Sequence, residues 1–254
     1  MVKAVICIPT YNEKENIQIL IPKMVDLFEK NNIDALILVI DDNSPDGTAE
    51  EAKLFIEKYP GKVDLLFRTK KEGLGKAYIA GFQQAISKYN PEFIFEMDAD
   101  LSHPPEVFPE MYQLLNDNKV DLVVGSRKIK GGGTENWGFH RKLISSGANF
   151  YTRMLLRLSI HDVTSGYRGF RATKLKAINL PAIDSDGYSF QIELAYMVEK
   201  LLKARTGEVP IIFADRTYGK SKLGFKDILE FFIEVQRLFF FGWRRKQKLV
   251  EKEK

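Results

Sequence analysis

Cysteine occurs once in the 254 residues, at Cys7, so no intramolecular disulfide can staple this chain. Its place inside an apolar run makes it a core side chain, expected in a reducing compartment. Long apolar runs are missing too. A spanning helix needs roughly 20 such residues, and the longest late run, from Leu238 to Trp243, falls far short, so no membrane crossing is expected. The start, Met1-Val2-Lys3-Ala4-Val5-Ile6-Cys7-Ile8-Pro9, meets polar residues too early for a secretory leader, which makes the cytoplasm the expected compartment. The body also lacks excess charge. Residues 244–254 hold six basic and two acidic side chains, and outside them the two signs balance at 32 each, leaving the net +4 to the tail. That balance argues against a diffuse nucleic-acid-binding face; the tail suits either contact with anionic lipid or simple solvation. Walker and dinucleotide glycine patterns, Cys/His zinc spacing and a Ser/His/Asp order are absent as well. His103, before two prolines, and His161 are read as structural.

What is present is the balance of an ordinary globular domain, 44% apolar and 28% charged. Strand patterns at residues 3–9, 35–40, 63–67, 93–97 and 120–125 alternate with helical ones. The first helix carries Ile17, Leu20, Ile21, Met24, Val25 and Phe28 at helical spacing; the next cover 48–58, 76–89 and 106–116. This predicts an α/β fold: one domain with a mostly parallel sheet flanked by helices and ligands outside the carboxyl ends of its strands. Polar clusters do follow the strands: Thr10 to Glu13, Asp41 to Thr48, Thr69 to Gly75, Asp98 to Asp100, and Ser126-Arg127. A glycine-rich connection at 130–134 then leads to helices at 141–158 and 190–203, a strand at 209–213, a basic loop at 215–224 and a terminal helix at 225–243. The expected division is one α/β domain over 1–224 and an amphipathic helix with a basic tail over 225–254.

Asp98 and Asp100 follow the very apolar strand Phe93-Ile94-Phe95-Glu96-Met97, where two carboxylates are costly unless a cation lies between them. So few hard oxygen ligands suit Mg²⁺ or Mn²⁺, whose other positions water and a diphosphate can fill. A turn and helix-cap cluster is the alternative. Asp41 and Asp42 pose the same choice between capping and ligand recognition. Together with Tyr11 and Glu13 on the neighbouring strand end, they would form a floor able to stack a nucleobase and bond its edge or ribose.

In order, Pro9-Thr10-Tyr11-Asn12-Glu13, Asp41-Asp42-Asn43-Ser44-Pro45-Asp46-Gly47-Thr48, Gly73-Leu74-Gly75, Met97-Asp98-Ala99-Asp100-Leu101-Ser102-His103-Pro104-Pro105 and Gly125-Ser126-Arg127 resemble the motifs of inverting family-2 glycosyltransferases with a GT-A fold. Within that family, the segments 141–149, 162–168 and 215–223 resemble the dolichol-phosphate mannose synthases. The resemblance covers about residues 3 to 240 and implies GDP-mannose as donor and dolichyl or polyprenyl phosphate as acceptor. It implies that Pro9, Tyr11, Glu13, Ile40 and Asp42 hold the guanosine, with Ala99 beside the nucleotide sugar, and that Asp98 and Asp100 hold Mg²⁺ or Mn²⁺. Ser102 stands where some relatives place a glutamine that completes the metal shell; the shorter hydroxyl acts through water or not at all. Arg127, Arg216 and Lys222 are implied at the donor phosphates, and Arg127, Arg141 and Ser145 at the acceptor phosphate. Asp100, Arg127 and Arg216 would carry the catalysis. Arginine suits this work because its planar fork donates two parallel hydrogen bonds to a phosphate.

Two alternatives follow from the same residues. A relative using a UDP-sugar or a sugar hydroxyl acceptor would need a base, for which Glu193 or Asp186 is the best candidate; a non-catalytic nucleotide-sugar-binding protein would need none of the metal chemistry. In the terminal helix, Asp227, Glu230, Glu234 and Arg237 confine charge to a stripe, and the rest is apolar and aromatic. With Arg244-Arg245-Lys246 directly after it, this helix is expected to lie peripherally on the cytoplasmic membrane face. Packing on the catalytic domain or in a homodimer is the alternative, and relatives that rely on a small membrane subunit make such a partner a further expectation.

Overall fold

The computed structural model describes residues 2–183, 185–214 and 225–249, with side chains of the last helix described over 229–242. On β1 (Ala4–Thr10) and β2 (Ala35–Asp41), successive side chains point to opposite faces of the sheet, and both faces are buried. Val5, Cys7, Leu36, Leu38 and Ile40 join one apolar cluster, and Ala4, Ile6, Ile8, Ala35, Ile37 and Val39 the other. Strands covered on both faces are what a parallel sheet requires, which explains their unbroken apolar runs. The second cluster is closed by α1 (Lys14–Lys30), α2 (Thr48–Lys58) and, after β3 (Val63–Phe67), α3 (Leu74–Gln84) and β4 (Phe93–Glu96), by α4 (Phe108–Asn116). The first is closed by α3 and by helices from the second half of the chain.

Those later elements are β5 (Leu122–Ser126), β6 (Gly133–Thr134), α5 (Phe139–Leu156), β7 (Arg168–Arg171), α6 (Ala172–Lys176), α7 (Gly187–Tyr196), β8 (Thr206–Pro210), β9 (Ile212–Phe213) and α8 (Phe225–Leu249). The main sheet runs β3-β2-β1-β4-β7-β5-β8, and β6 pairs with β9 in a separate ribbon. All pairings are parallel except those of β7, which runs antiparallel to both β4 and β5. The chain passes from β1 to β2 and β3 on one side and returns to β4 on the other. This is the topological switch at which ligands bind in such sheets, so the crevice lies outside the carboxyl ends of β1 and β4.

Strand β7 is the element that the apolar pattern does not reveal. Its inward residue Arg168 is fully buried, with its guanidinium donating to the main-chain oxygens of Ser165, Val163 and Gln191 at 2.8, 2.7 and 2.5 Å. A side chain satisfied in this way occupies a core position while reading as polar. Gly169 has no room for a Cβ, which would stand 2.4 Å from the Phe95 ring. The strand expected at 209–213 is divided between β8, which starts earlier, and β9. The helix expected from 106 starts at Phe108 after one 3₁₀ turn, Pro105–Val107.

Helix α8 belongs to the same core as the sheet. Phe231, Val235 and Leu238 join the first cluster, and the helix packs on α7 and α5. Glu234, part of the expected charge stripe, lies on this buried side with Arg237 3.6 Å away. Among the described residues, no helix is long and apolar enough to cross a membrane.

Candidate active site

A polar cavity of about 240 Å³ opens at the switch point, lined by Pro9, Tyr11, Glu13, Asp42, Asp98, Ala99 and Asp100 together with Thr10, Lys71, Gly73, Leu74 and Ala77. Every donor-side residue expected from the first, second and fourth strand ends is there except Ile40. That side chain is wholly buried in the sheet, and its contribution is a main-chain oxygen that accepts from the Thr10 hydroxyl at 3.3 Å.

The two neighbouring aspartates divide the alternatives between them. Asp41 is spent on the turn: its carboxylate accepts from the Ser44 hydroxyl at 2.6 Å, the Ser44 amide at 2.9 Å and the Thr10 hydroxyl at 3.1 Å. Asp42 faces the cavity, held by Arg68 Nη1 at 2.6 Å, while Arg68 Nη2 reaches Glu72 at 2.9 Å. Burial raises the Asp42 pKa, with Arg68 pulling the other way. The two loops are tied together, since the Glu13 amide donates to Thr48 Oγ1 at 3.1 Å and Lys14 N–H to Asp46 at 3.1 Å. Lys71 lies over the Tyr11 ring, 3.6 Å from its centre. It comes from a run of mixed charges that carries no motif.

Asp98 and Asp100 stand on a tightly folded loop after β4. Leu101 adopts φ +63°, a left-handed conformation unusual for a residue with a branched side chain. The Tyr78 hydroxyl donates to Asp98 Oδ1 at 3.3 Å, and the Ser102 amide to Asp100 Oδ1 at 3.1 Å. Ser102 Oγ is buried and has no hydrogen-bond partner, so its main chain, not its hydroxyl, supports the carboxylates. Two carboxylates on one cavity wall form a sparse, hard oxygen set. Among the described residues, no group of three or more His, Cys, Asp or Glu side chains could hold a metal. The donor set therefore fits Mg²⁺ or Mn²⁺ completed by water and phosphate, and does not fit a closed zinc site. Beneath it, burial pushes the Glu96 carboxyl up to about 8, against the pull of the buried Arg168 guanidinium.

A second cavity, of about 570 Å³, is mostly apolar and is lined by Arg127, Trp137, Arg141, Ile144, Ser145, Gly147, Ala148, Thr164, Tyr188, Phe231 and Phe232. The three residues expected at the acceptor phosphate are thus brought together. Arg127, however, is buried in a bidentate pair with Asp162, Nε to Oδ2 at 2.6 Å and Nη2 to Oδ1 at 2.7 Å, and Nη2 also reaches Thr164 Oγ1 at 2.9 Å. Burial works against its charge, but Asp162, with lesser help from Tyr188 and Asp98, more than offsets this and raises its pKa. Arg141 stacks on Trp137, its guanidinium carbon 3.7 Å from the ring centre. Arg216 and Lys222 lie outside the described residues.

Neither candidate base is idle. Asp186 Oδ1 accepts from the Gly75 amide at 2.6 Å, pinning the first turn of α3, and buried Glu193 accepts from the Ser185 hydroxyl. Gly73, with φ +103°, has no space for a side chain beside Asp186. Trp137, Tyr188 and Phe231 were not singled out from the sequence for this site; each reads there as an ordinary core or surface aromatic.

Residues 5–178 match the family described as Glycosyl transferase family 2. The chain is 41% identical over 230 residues to an undecaprenyl-phosphate mannosyltransferase of Micrococcus luteus, covering 91% of each. It is 40% identical over 239 residues to a polyprenol monophosphomannose synthase of Mycolicibacterium smegmatis, covering 92% of this chain and 85% of the relative. In fold it is similar to a mannosyl-3-phosphoglycerate synthase of Rubrobacter xylanophilus, with a TM-score of 0.66 and 15% identity, covering 100% of this chain and 77% of the other. It is also similar to a mannosyltransferase of Pyrobaculum calidifontis in complex with GDP-Man and Mn²⁺, with a TM-score of 0.58 and 17% identity over 92% and 64% of the two chains.

Proposed function

The chain belongs to glycosyl transferase family 2, and from that premise we propose that it transfers mannose from GDP-mannose, with inversion, to the phosphate of a long polyprenyl (dolichol-type) monophosphate. The observation that carries this reading is the pair of cavities. One is polar and carries the Asp98 and Asp100 pair beside Asp42 and Glu13; the other is apolar and carries Arg127, Arg141 and Ser145, with Arg127 close enough to Asp98 for that carboxylate to support its charge. A lipid phosphate needs such a combination, cations for its head and apolar walls for its first isoprenoid units.

Tyr11 offers a ring for the guanine, and Asp42 and Glu13 offer acceptors for its edge or ribose. Asp98 and Asp100 would hold Mg²⁺ or Mn²⁺, which when bound neutralises charge on the diphosphate leaving group. Arg141 and Ser145 orient the acceptor phosphate, and Arg127, fixed by Asp162, presents a positive charge that need not reorganise. A phosphate monoester with a second pKa near ~6 is already ionised at neutral pH, so its oxygen can attack the anomeric carbon without a base. The engagement of Asp186 and Glu193 in structural hydrogen bonds supports that route over a hydroxyl acceptor.

The same reading seats the protein on a membrane surface. Most large apolar side chains left exposed among the described residues lie on α5 and α8, including Phe139, Leu143, Phe150, Phe239, Phe240 and Phe241. Tyr151 of α5 meets Phe232 of α8 with ring centres 5.2 Å apart, so the two helices present one face. Arg141 and Lys142 on α5 and the basic residues after Gly242 suit anionic headgroups. Removal of the whole helix is a poor test, because it would take Phe231, Val235 and Leu238 from the core. Phe239→Asp with Phe240→Asp is expected to abolish flotation with anionic vesicles while the fold and GDP binding persist; unchanged flotation would reject this face as the seat.

The test of the function is a donor panel, GDP-mannose against UDP-glucose, with one polyprenyl phosphate and with a sugar hydroxyl acceptor, reading lipid-linked or saccharide product. Product only from GDP-mannose and the lipid phosphate is expected, lost on chelation and in Asp100→Ala. Turnover of UDP-glucose alone, or of the hydroxyl acceptor alone, would overturn the assignment.

A further inference from the structure

The loop that carries Asp98 and Asp100 closes on a histidine. His103 Nδ1 lies 3.0 Å from the Asp98 main-chain nitrogen. An amide can only donate, so Nδ1 supplies its lone pair, and the hydrogen of the neutral ring must sit on Nε2. That nitrogen faces the side chain of the same residue, 3.8 Å from Asp98 Oδ2. One ring thus holds Asp98 at its amide and faces it at its carboxylate.

The ring itself is fixed. It is buried, stacked on Tyr167 at 5.1 Å and 17°, and met edge-on by Phe213 at 5.6 Å. Gly166 packs beside it, where a Cβ would stand at ordinary contact distance, 3.6 Å, from the imidazole. Tyr78 holds the other Asp98 oxygen at 3.3 Å. The carboxylate is therefore addressed from two sides by groups that touch neither cavity.

We propose that His103 is a positioning residue for the metal-binding carboxylates, setting the direction of Asp98 through its amide and Oδ2. This rests on the reading of Asp98 and Asp100 as ligands of a divalent cation. The packing role read from the sequence, a histidine that merely fills a loop before two prolines, predicts a change in stability alone. Positioning predicts a change in metal affinity, because a ligand whose supporting partner is lost must be ordered by the metal itself.

Two variants separate these. His103→Asn keeps an acceptor near the Asp98 amide and removes the nitrogen that faces Oδ2; His103→Phe keeps a ring in the Tyr167 stack and removes both. Binding of Mn²⁺ to the full chain with GDP is followed by electron paramagnetic resonance, alongside thermal denaturation and the dependence of transfer on Mn²⁺ concentration. The expected result is Mn²⁺ binding weakened roughly 10- to 100-fold, more in Phe than in Asn, with turnover of His103→Asn recovering at saturating Mn²⁺. Wild-type Mn²⁺ affinity in His103→Asn overturns the proposal, and that variant decides alone if His103→Phe does not fold. Loss of binding in Asp100→Ala with retention in both His103 variants rejects only the role of His103. Failure of the wild type to bind Mn²⁺ rejects the metal reading and the proposal together.

Discussion

The polar cavity takes its working side chains from loops a few residues beyond β1, β2 and β4, whereas the apolar cavity gathers Arg127, Arg141, Tyr188 and Phe231 from a strand end and three helices. Positions in the first are set by hydrogen-bonded registers: Thr10 lies opposite Asp41 in the ladder of β1 and β2, and Cys7 opposite Glu96 in that of β1 and β4. Positions in the second are set by side-chain packing of α5, α7 and α8. A ladder leaves little freedom, which suits exact placement of charge against a nucleotide. Helices packed through apolar contacts can settle around a flexible chain. The difference suggests that the donor is recognised by geometry and the lipid by area.

Arg127 breaks that division, because its charge sits on the apolar side yet is held as rigidly as anything in the polar one. Arg127→Ala should therefore cost about 3–5 kcal/mol of stability by leaving the Asp162 carboxylate buried without its partner. Arg127→Ala with Asp162→Ala should recover most of that loss but not transfer. Arg141→Ala, by contrast, removes a guanidinium stacked on Trp137 and should weaken acceptor use with a stability change within about 0.5 kcal/mol. Chemical denaturation and transfer kinetics read both quantities. A stable Arg127→Ala protein with normal turnover would show that the buried Arg127 and Asp162 pair serves neither the fold nor the transfer.

The same contrast governs what could be read from the sequence. Parallel strands buried on both faces, as β1, β2 and β4 are, announce themselves as apolar runs with polar clusters after them; the edge strand β3 and β5 kept enough of that pattern, so these strands, their helices and the residues Tyr11, Asp42, Asp98 and Asp100 were all legible. Strand β7 was not, because Arg168 replaces an apolar core residue with a guanidinium satisfied by three carbonyls. Ile40 was assigned to the guanosine from the resemblance, yet its side chain lies in the sheet. Arg127, Arg141 and Ser145 were legible through the resemblance; the walls around them were not. Whether Phe231 packs inward or Phe232 lines a cavity depends on how α8 lies against α5 and α7, which no local pattern encodes.

Glu96, the last residue of β4 and two before Asp98, sharpens the comparison on the side of the polar cavity. Its folded value, about 8, lies above the usual carboxylate range near 4.5 because burial disfavours the charged form. The folded state then holds a proton that the unfolded chain releases. The associated stability is full below the unfolded value and is lost as pH rises through about 8. Denaturation of the wild type should show this fall between pH 5 and 8, and Glu96→Gln should remove roughly 3–4 kcal/mol of it. Parallel curves for the two proteins would mean that Glu96 is ionised in the fold.

Two glycines give the finest test of geometry against area. Gly75, at the first turn of α3 beside the polar cavity, has no space for a Cβ, which would meet the Ser185 oxygen at 2.8 Å and the Phe190 ring at 3.2 Å. Gly147 lines the apolar cavity on α5, and a Cβ there meets nothing within 4 Å. A leucine at 147 would also favour the helix, since glycine in a helix interior costs about 1 kcal/mol relative to alanine. Gly147→Leu should therefore fold at least as well as the wild type while its side chain occupies space that the proposed lipid acceptor would fill. Transfer to a long-chain polyprenyl phosphate should fall about tenfold, mainly through KM for the acceptor, equivalent to about 1.4 kcal/mol of lost binding. GDP-mannose affinity should not change. Gly75→Ala should do the reverse, weakening donor binding and stability by displacing the segment from Ser185 to Phe190. If Gly147→Leu keeps normal acceptor kinetics, the isoprenoid does not enter this cavity and must lie along the outer face of α5 and α8.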